Sequence, residues 1–423
     1  MTQQKTESIL GPYRVLDLTD DKGLLCGKIL SDLGADVIKV EKPGGDAARS
    51  IGPFYKDIPH PERSLYWFAF NLNKRSVTLD IEKPDGREIF GRLVKTADIV
   101  VESFQSGYLD GLGLGYAGLK EINPQIILTS ITPFGQTGPY AHYKGSDIVG
   151  WATGGMMHPL GSPDRAPLQV TAQQAYCNAS AHAAAGTMIA LYYRDVNGEG
   201  QHVDVSVQES VMANTWFWAE LWDLMGVNMP RLGGMMASPR ANLPPLIMRL
   251  DWPCNDGRVS WGPTGGAWAG GRASSKALVE MANRDGMAME LKDYDWATLD
   301  YSTVPQEEFD RVANTLAAFL ATKTKSELFT EAIEKGIILS PWSVTKDLVE
   351  NPQLAAREFW EKVEHPELGE AITYPGAFVK LSEAPWRVWR RPPLIGEHNE
   401  EIYVQELGLA RERLLLLKQA GVI

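Results

Sequence analysis

The chain has 423 residues, of which 44% are hydrophobic and 22% are charged, a composition typical of globular proteins. At roughly 150 residues per domain, this length predicts two or three domains. Lys and Arg total 41 against 53 Asp and Glu, and the net charge of −12 argues against a protein that binds nucleic acid by neutralising its phosphates. An anionic ligand would need locally placed cations or helix N-termini.

Cysteine usage and hydropathy predict where the protein works. Cys26, Cys177 and Cys254 are widely spaced, with no CxxC pair and no paired histidines, which argues against a disulfide framework and a zinc site. The first ten residues lack the apolar core of a signal peptide, and no run approaches the ~18 apolar residues of a membrane span. We therefore predict a soluble cytoplasmic protein that holds no metal and binds neither nucleic acid nor membranes.

The first half of the chain alternates predicted strands with predicted helices. A buried strand at residues 13–18, a helix at 23–33 and a β-branched strand at 35–41 have the length of one βαβ unit. Together with the elements that follow, they predict an α/β fold with an open, parallel, Rossmann-like sheet. The later strands are predicted at residues 76–80, 98–102, 126–131 and 201–207, and the later helices at 85–96 and 175–193, the last one alanine-rich and buried.

A change in composition marks the predicted domain organisation. Gly, Met and Pro become frequent between residues 225 and 250, as is typical of a linker, and a glycine-rich loop and charged helical sequence follow. We predict a large Rossmann-like domain that begins with residues 1–225 and a linker with a smaller α+β domain at 226–330. Residues 331–423 are predicted to return to the large domain and add C-terminal helices.

Short signature motifs do not identify a reaction. The sequence has no P-loop, no GxSxG elbow, no HExxH and no GxGxxG after its first strand. Asn73, Lys74 and Arg75 could hold a phosphate, although a solvated charged turn is the simpler explanation, and the same holds for residues 39–49. His398 precedes a predicted helix, where capping explains it.

Several longer segments, taken in order, resemble the class III CoA-transferases of the formyl-CoA transferase and carnitine CoA-transferase type. LSDLGADVIKVEKPGGDAAR (residues 30–49) is similar to the family's ADLGADVIKVE segment, and NKRSVTLDI (residues 73–81) is similar to its NRGKRS-TLDL strand. The resemblance covers about nine-tenths of the chain. Its other segments are ADIVVESF to GLGLGY (97–116), NPQIILTSITPFGQTGPYA (123–141), GEGQHVDVSVQES (198–210) and PPLIGEHNEEIYVQELGL (392–409).

The resemblance implies a fold, an assembly and a reaction. Both chain ends would build the large domain, the smaller domain would lie between them, and two subunits would interlock. In the family an aspartate attacks an acyl-CoA thioester and passes through mixed-anhydride and aspartyl-CoA intermediates before an acceptor carboxylate takes the CoA. A CoA thioester is then a substrate, and no cofactor is bound permanently.

At the position of the family's nucleophile, this sequence departs from the family pattern. The family's DxxxGxxxxxGIxAAL pattern matches Gly186–Leu191 at its end, which puts the place of its aspartate at Tyr176. A phenol with a pKa near ~10 is mostly protonated at neutral pH and would form an aryl ester instead of the anhydride. No Asp or Glu lies between Asp164 and Asp195, so a shifted register does not restore the carboxylate. Cys177 is explained by packing on an alanine-rich helix.

Other family positions are changed or kept. The approach loop after the first strand reads Gly23-Leu24-Leu25 in place of Ala-Gly-Pro, the family's Asn-Phe pair reads Ser103-Phe104, and Gly111 replaces an arginine. The matching positions imply a CoA-binding set made of Lys42, Arg49, Asn73, Lys74, Arg75, Phe104 and Lys144.

Three functions remain open from the sequence. The leading one is a catalytically silent subunit of a heteromeric CoA-transferase whose homologous partner supplies the aspartate. An acyl-CoA racemase or isomerase is the second, but its acid/base pair would fall on Ser146, before Asp147, and on Tyr176. A non-enzymatic acyl-CoA-binding scaffold is the third. A neighbouring gene for a paralogue with Asp at the position of Tyr176 would separate the first from the others.

Overall fold

The computed structural model describes residues 8–215 and 217–423, which divide into two units. The first unit contains the residues up to Met157 together with Gln169–Asn228 and Ala355–Ile423. The second unit contains His158–Leu168 and Met229–Leu354. The main crossings therefore lie after Asn228 and after Leu354, whereas the sequence puts them at 225/226 and 330/331.

A six-stranded parallel sheet is the centre of the first unit. Its strand order is β3-β2-β1-β4-β5-β6, the order of a doubly wound Rossmann sheet, and the predicted α/β class is confirmed. Val15 of β1 pairs with Val37 of β2 and with Ile99 of β4. The strands are β1 (Arg14–Leu18), β2 (Asp36–Glu41), β3 (Arg75–Thr78), β4 (Ile99–Glu102), β5 (Ile127–Thr132) and β6 (His202–Ser206).

Helices separate these strands, as the alternating pattern predicts. The central strands are buried along nearly their whole length, because helices cover both faces of the parallel sheet. The helices are α1 (Leu24–Asp32), α2 (Leu65–Phe70), α3 (Pro84–Val94), α4 (Tyr108–Gly111), α5 (Tyr116–Ile122), α6 (Asp147–Thr153), α7 (Gln174–Asn197), α8 (Val207–Met212) and α9 (Trp218–Met225).

The alanine-rich helix α7 has one buried face and one exposed face. Ala179, Ala183 and Thr187 are completely buried, and the Thr187 hydroxyl lies 2.7 Å from that of Thr129 in β5. Small side chains let α7 approach the sheet closely, as the sequence predicts. The opposite face is not buried as expected, since Ile189 and Tyr192 are 70% and 74% exposed.

The second unit has its own core of helices and short antiparallel strands. The predicted linker is not free of structure, because β7 and β8 form a hairpin within it. Gly271 of the glycine-rich segment lies in α10, where a Cβ would come within 2.6 Å of the Trp268 ring. The elements are β7 (Met235–Ser238), β8 (Leu246–Arg249), β9 (Asp251–Cys254), β10 (Gly257–Trp261), α10 (Ala269–Arg284), α11 (Gln306–Leu320), α12 (Lys325–Lys335), β11 (Leu339–Pro341), α13 (Thr345–Val349) and α14 (Pro352–Ala356).

The C-terminal residues belong to the first unit. The buried Tyr403 side chain donates a hydrogen bond to the Thr78 carbonyl at the end of β3, 2.9 Å away. This contact ties the chain's end to the sheet that its first half builds. The elements are β12 (Trp360–His365), β13 (Glu370–Pro375), a π-helix (Glu400–Glu406) and α15 (Arg411–Gln419).

Candidate active site

A cavity of about 350 Å³ lies where β1, β2, β3 and β4 end, the edge at which doubly wound sheets bind ligands. Lys42 follows β2 and Phe104 follows β4, and both line the cavity. The Lys42 side chain is exposed, and its ammonium lies 2.8 Å from the Glu82 carboxylate. Phe104 packs against Tyr108, with ring centroids 4.6 Å apart. The cavity therefore offers one solvent-accessible cation and one aromatic ring.

Arg49 belongs to a buried ion-pair network. Its guanidinium donates to both carboxylate oxygens of Glu41, at 2.6 and 2.8 Å, and to Glu62 at 2.7 Å. It also stacks on Trp67, 3.7 Å from the ring centroid, and donates to the Pro393 carbonyl. These contacts and the burial of the side chain keep the guanidinium from a CoA phosphate.

Asn73, Lys74 and Arg75 are also held inside the protein. Asn73 has a left-handed backbone conformation (φ 64°). Its side-chain oxygen accepts hydrogen bonds from the backbone N–H groups of Trp389 and Arg390. Lys74 is completely buried, and its ammonium lies 2.8 Å from Asp17. The three residues therefore join separate parts of the fold.

Arg75 pairs with carboxylates from two parts of the chain. Its guanidinium bonds Asp36 of β2 and reaches Glu401 and Glu406 of the π-helix. The expected phosphate-binding set therefore separates in the structure: Lys42 and Phe104 face the cavity, whereas the Arg49 and Asn73–Arg75 side chains are used internally.

Lys144 lies apart from both groups. It is exposed on the loop between β5 and α6, and among the described residues its ammonium group has no ion-pair partner. It does not line the cavity that holds Lys42 and Phe104. Of the expected cations, Lys42 and Lys144 are thus the accessible ones.

Tyr176, where the resemblance predicts the family's aspartate, lies in the first turn of α7. Its side chain is buried, and its backbone N–H donates to Asp147 Oδ1 at 3.0 Å. Burial, followed by the nearby charges of Asp21, Asp20 and Asp147, raises the pKa of the phenol well above its usual value. A phenol in this environment stays protonated at neutral pH.

Carboxylates from other elements surround this position, and sequence reasoning did not connect them with it. Asp21 follows β1 and accepts a 2.9 Å hydrogen bond from the Gln173 side-chain amide, whose oxygen in turn accepts from Tyr66. Burial, with the adjacent Asp20 charge, raises the pKa of Asp21. In the sequence, the sign of this site was the pair of aspartates, Asp20 and Asp21, that follows the buried strand β1. Only the fold brings this pair near α7.

Cys177, next to Tyr176, is not an activated thiol. It is half-buried, and burial raises the pKa of its thiol to about 11. A thiol is nucleophilic as the thiolate, which this environment disfavours. The packing explanation therefore fits the geometry.

A second cavity of about 390 Å³ lies beside β4 and β5. Glu102 at the end of β4 lines it, and burial raises the pKa of this carboxyl to about 7. The Ser130 hydroxyl, also on its wall, lies 2.9 Å from His202 Nε2. In the part of the chain that the structure describes, no three His, Cys, Asp or Glu side chains form a metal-binding group, and no helix is long and apolar enough to cross a membrane.

Comparison with known proteins agrees with this geometry. The model of CoA-transferase family III matches residues 10–399. The chain is 36% identical to the succinyl-CoA:(R)-benzylsuccinate CoA-transferase subunit BbsE of Thauera aromatica, over 93% of each chain. It is 35% identical to the formyl-CoA:oxalate CoA-transferase of Streptomyces coelicolor, over 99% of this chain and 100% of the relative.

A solved structure has the same fold. The CAIB/BAIF family protein of Brucella suis superposes with a TM-score of 0.79 at 29% identity, covering 94% of this chain and 99% of the other. Fold and sequence therefore agree with these relatives across almost the whole length. The chain therefore belongs to CoA-transferase family III, whose substrates are CoA thioesters.

Proposed function

We propose that this chain is the catalytically silent subunit of a heteromeric CoA-transferase, in which a homologous partner subunit supplies the nucleophilic aspartate. The observation that carries the proposal is the burial of the Tyr176 phenol, which raises its pKa, at the position where the resemblance predicts the nucleophile. The donor is an acyl-CoA such as succinyl-CoA, and the acceptor is a carboxylic acid such as benzylsuccinate. A relative named as one subunit of such an enzyme supports this choice.

The reaction explains why a carboxylate is indispensable. The partner's aspartate attacks the thioester carbonyl, which releases CoA thiolate and leaves an acyl-aspartyl anhydride. The thiolate then attacks the aspartyl carbonyl and expels the donor acid as its carboxylate. The acceptor carboxylate next attacks the aspartyl thioester, which releases the CoA thiolate and forms a second anhydride. The thiolate then attacks the acceptor's carbonyl in this anhydride, which forms the acceptor's CoA thioester and frees the aspartate as its carboxylate. A protonated phenol offers no equivalent leaving group at neutral pH.

Co-expression of this chain with an aspartate-bearing paralogue tests the proposal. We expect CoA exchange from the purified complex and none from this chain alone. Hydroxylamine should trap an aspartyl thioester on the partner only, and replacing the partner's aspartate with asparagine should abolish exchange. Robust exchange by the single chain, with an acyl adduct on any of its residues, would contradict the proposal.

We also propose that the cavity with Lys42 and Phe104 retains part of a CoA site, and that Lys144 offers a second phosphate contact outside the cavity. The support is accessibility, because these two lysines are the exposed cations of the set that the sequence implies. A charge-assisted bond to a phosphate contributes about 1.5–3 kcal/mol. Lys42→Ala or Lys144→Ala should therefore weaken CoA binding about tenfold or more.

Calorimetry of CoA binding to the complex measures these effects. Phe104→Ala should also weaken binding, because it removes an aromatic wall of the cavity. Lys346→Ala is the matched control, since that lysine is exposed and lies in the other unit. Unchanged affinity in the Lys42→Ala and Phe104→Ala variants would show that CoA does not bind in the cavity. Unchanged affinity in the Lys144→Ala variant would show that Lys144 does not contact CoA.

A further inference from the structure

The second cavity, which we call the Glu102 cavity, lies on the face of the sheet that points away from α7. Thr129 of β5 contacts Thr187 of α7, and side chains alternate along a strand, so Ser130 faces the opposite side and lines the cavity. The volume of about 390 Å³ is within the range of small-molecule sites. Different residues line this cavity and the one proposed for CoA, so the CoA site does not account for it.

The walls of the Glu102 cavity are fixed by hydrogen bonds between loops. The backbone N–H of Gln136 donates to both carboxylate oxygens of Asp204, at 3.1 and 2.9 Å. The Gln105 side-chain amide donates to the His142 carbonyl at 2.8 Å, which joins the loop after β4 to the loop after β5. A cavity with fixed walls needs little rearrangement to take a ligand.

A buried carboxyl group forms the floor of this cavity. Glu102 is 4% exposed, and its carboxylate accepts a hydrogen bond from the Phe104 backbone N–H at 2.7 Å. The Ser130 hydroxyl bonds the same carboxyl group and lies 2.9 Å from His202 Nε2. Within the described ranges, no Lys, Arg or His side chain forms an ion pair with Glu102. The carboxylate thus has hydrogen-bond donors but no counter-ion.

The charges around the cavity favour a cationic ligand. Burial raises the pKa of Glu102 to about 7, and the more distant Lys22 and Asp20 change this pKa in opposite directions. Asp110 of α4 adds a carboxylate at the exposed rim, and none of the described residues that line the cavity is Lys or Arg. A phosphate would meet carboxylates here, whereas a cation would supply the charge that the buried carboxylate lacks.

The remaining walls are aromatic and apolar. The Tyr116 ring stacks on His202, with centroids 5.9 Å apart, and its hydroxyl donates to the Gly200 carbonyl at 2.7 Å. A tyrosine ring attracts a cation over its face. Leu109 and Leu128 add buried apolar surface to the cavity. A ligand that combines a positive charge with a short hydrocarbon chain matches all of these walls.

We propose that the Glu102 cavity binds an alkylammonium group, with the nitrogen at the Glu102 carboxylate and the hydrocarbon chain against Tyr116 and the two leucines. This site is separate from the proposed CoA-transfer function, and its tests use this chain in whatever assembly it forms.

Ligand-observed NMR titration with butylamine and with butanol is the first test. The two probes share one hydrocarbon chain, but only the amine is charged at neutral pH. We expect butylamine to bind about tenfold more tightly or better, and equal affinities overturn the proposal. Nα-acetyl-lysinamide presents the same ammonium on a peptide. Tighter binding of this probe than of butylamine assigns the site to a lysine side chain, and weaker binding assigns it to a free amine.

Glu102→Gln removes the charge and keeps the size of the side chain. Its affinity for butylamine should fall about tenfold, while its affinity for butanol stays the same, because the alcohol makes no ion pair. Glu121→Gln is the matched control, since Glu121 is exposed on α5, the helix that contributes Tyr116 to the cavity. Equal affinity of both variants for butylamine overturns the role of Glu102.

The pH dependence of binding is the second test. The ionised fraction of a carboxyl group with a pKa of about 7 rises about tenfold from pH 6 to pH 8, so the affinity for butylamine should rise by the same factor. His142 and His202 at the rim lose positive charge over the same range and would act in the same direction. The Glu102→Gln variant separates the two effects. A rise of equal size in this variant overturns the proposal that the ammonium pairs with Glu102.

Discussion

Tyr176, where the resemblance predicts the family's aspartate, has a packing role in this structure. Its ring is buried in the core that includes Ala175 and Ala179, and its backbone N–H is held by Asp147. Carboxylates of Asp21 and Asp147 add negative charge around a phenol that burial already keeps protonated. The residue thus contributes packing contacts to the first turn of α7.

Tyr176→Phe should therefore leave turnover of the active complex within about threefold, because it removes no interaction with a transition state. Steady-state CoA exchange measures the effect, and asparagine in place of the partner's aspartate is the control that should abolish it. Tyr176→Asp should not create a second site, since the loop at Gly23-Leu24-Leu25 still departs from the family. A hundredfold loss in Tyr176→Phe would contradict the silent role.

We predict that Glu102 makes the stability of the folded protein depend on pH. Burial raises its pKa from 4.5 to about 7, so between these values the unfolded chain releases the proton first. Stability is therefore lost as the pH rises through this window, by up to about 3 kcal/mol above pH 7. Glu102→Gln stays neutral and should gain stability relative to the wild type between pH 5 and pH 8.

Urea unfolding at several pH values measures this difference. Glu121→Gln, a change at an exposed glutamate of α5, is the control. If the Glu102→Gln and wild-type proteins keep the same stability difference from pH 5 to pH 8, the raised pKa is not a property of the folded state.

At the scale of elements, the Asp17–Lys74 ion pair joins β1 to the residue before β3. Lys74 also donates to the Leu24 carbonyl in α1, at 3.0 Å. Breaking a buried ion pair costs about 3–5 kcal/mol, and the lower end applies here because Lys39, 3.9 Å from Asp17, still compensates part of its charge. We expect Lys74→Met to lower the free energy of unfolding by this amount.

A double-mutant cycle separates the pair from the packing. Asp17→Asn with Lys74→Met should destabilise the protein by less than the sum of the single changes, because neither charge is left alone. Denaturant unfolding measures all three variants, and Lys346→Met at an exposed position is the control. Additive single effects would contradict a coupled buried pair.

At the scale of the whole molecule, the proposed assembly is an interlocked pair of subunits. The crossings between the two units, after Asn228 and after Leu354, would embrace the partner, and the interface should exceed the ~1,600 Å² of a standard complex. We expect the co-expressed complex to resist dissociation on dilution until it unfolds. Light scattering and native mass spectrometry measure this, and a stable, folded monomer would contradict the interlocked assembly.

The sequence by itself determined the α/β class, the order of the strands and helices along the chain, and the family. These features depend on local periodicity and on segments that stay together in the sequence. It also predicts that Tyr176 stands at the nucleophile's position, because Gly186–Leu191 match the end of the family's pattern.

Only the tertiary structure decided which charged side chains stay accessible to a ligand. Lys74 and Lys42 look alike in the sequence, but Lys74 meets Asp17, 57 residues away, while Lys42 stays at the edge of a cavity. In the same way the fold brings Asp21 and Asp147 towards Tyr176. A buried charge requires a partner, and its partner comes from whichever strand or loop lies beside it in space, which local sequence patterns do not encode.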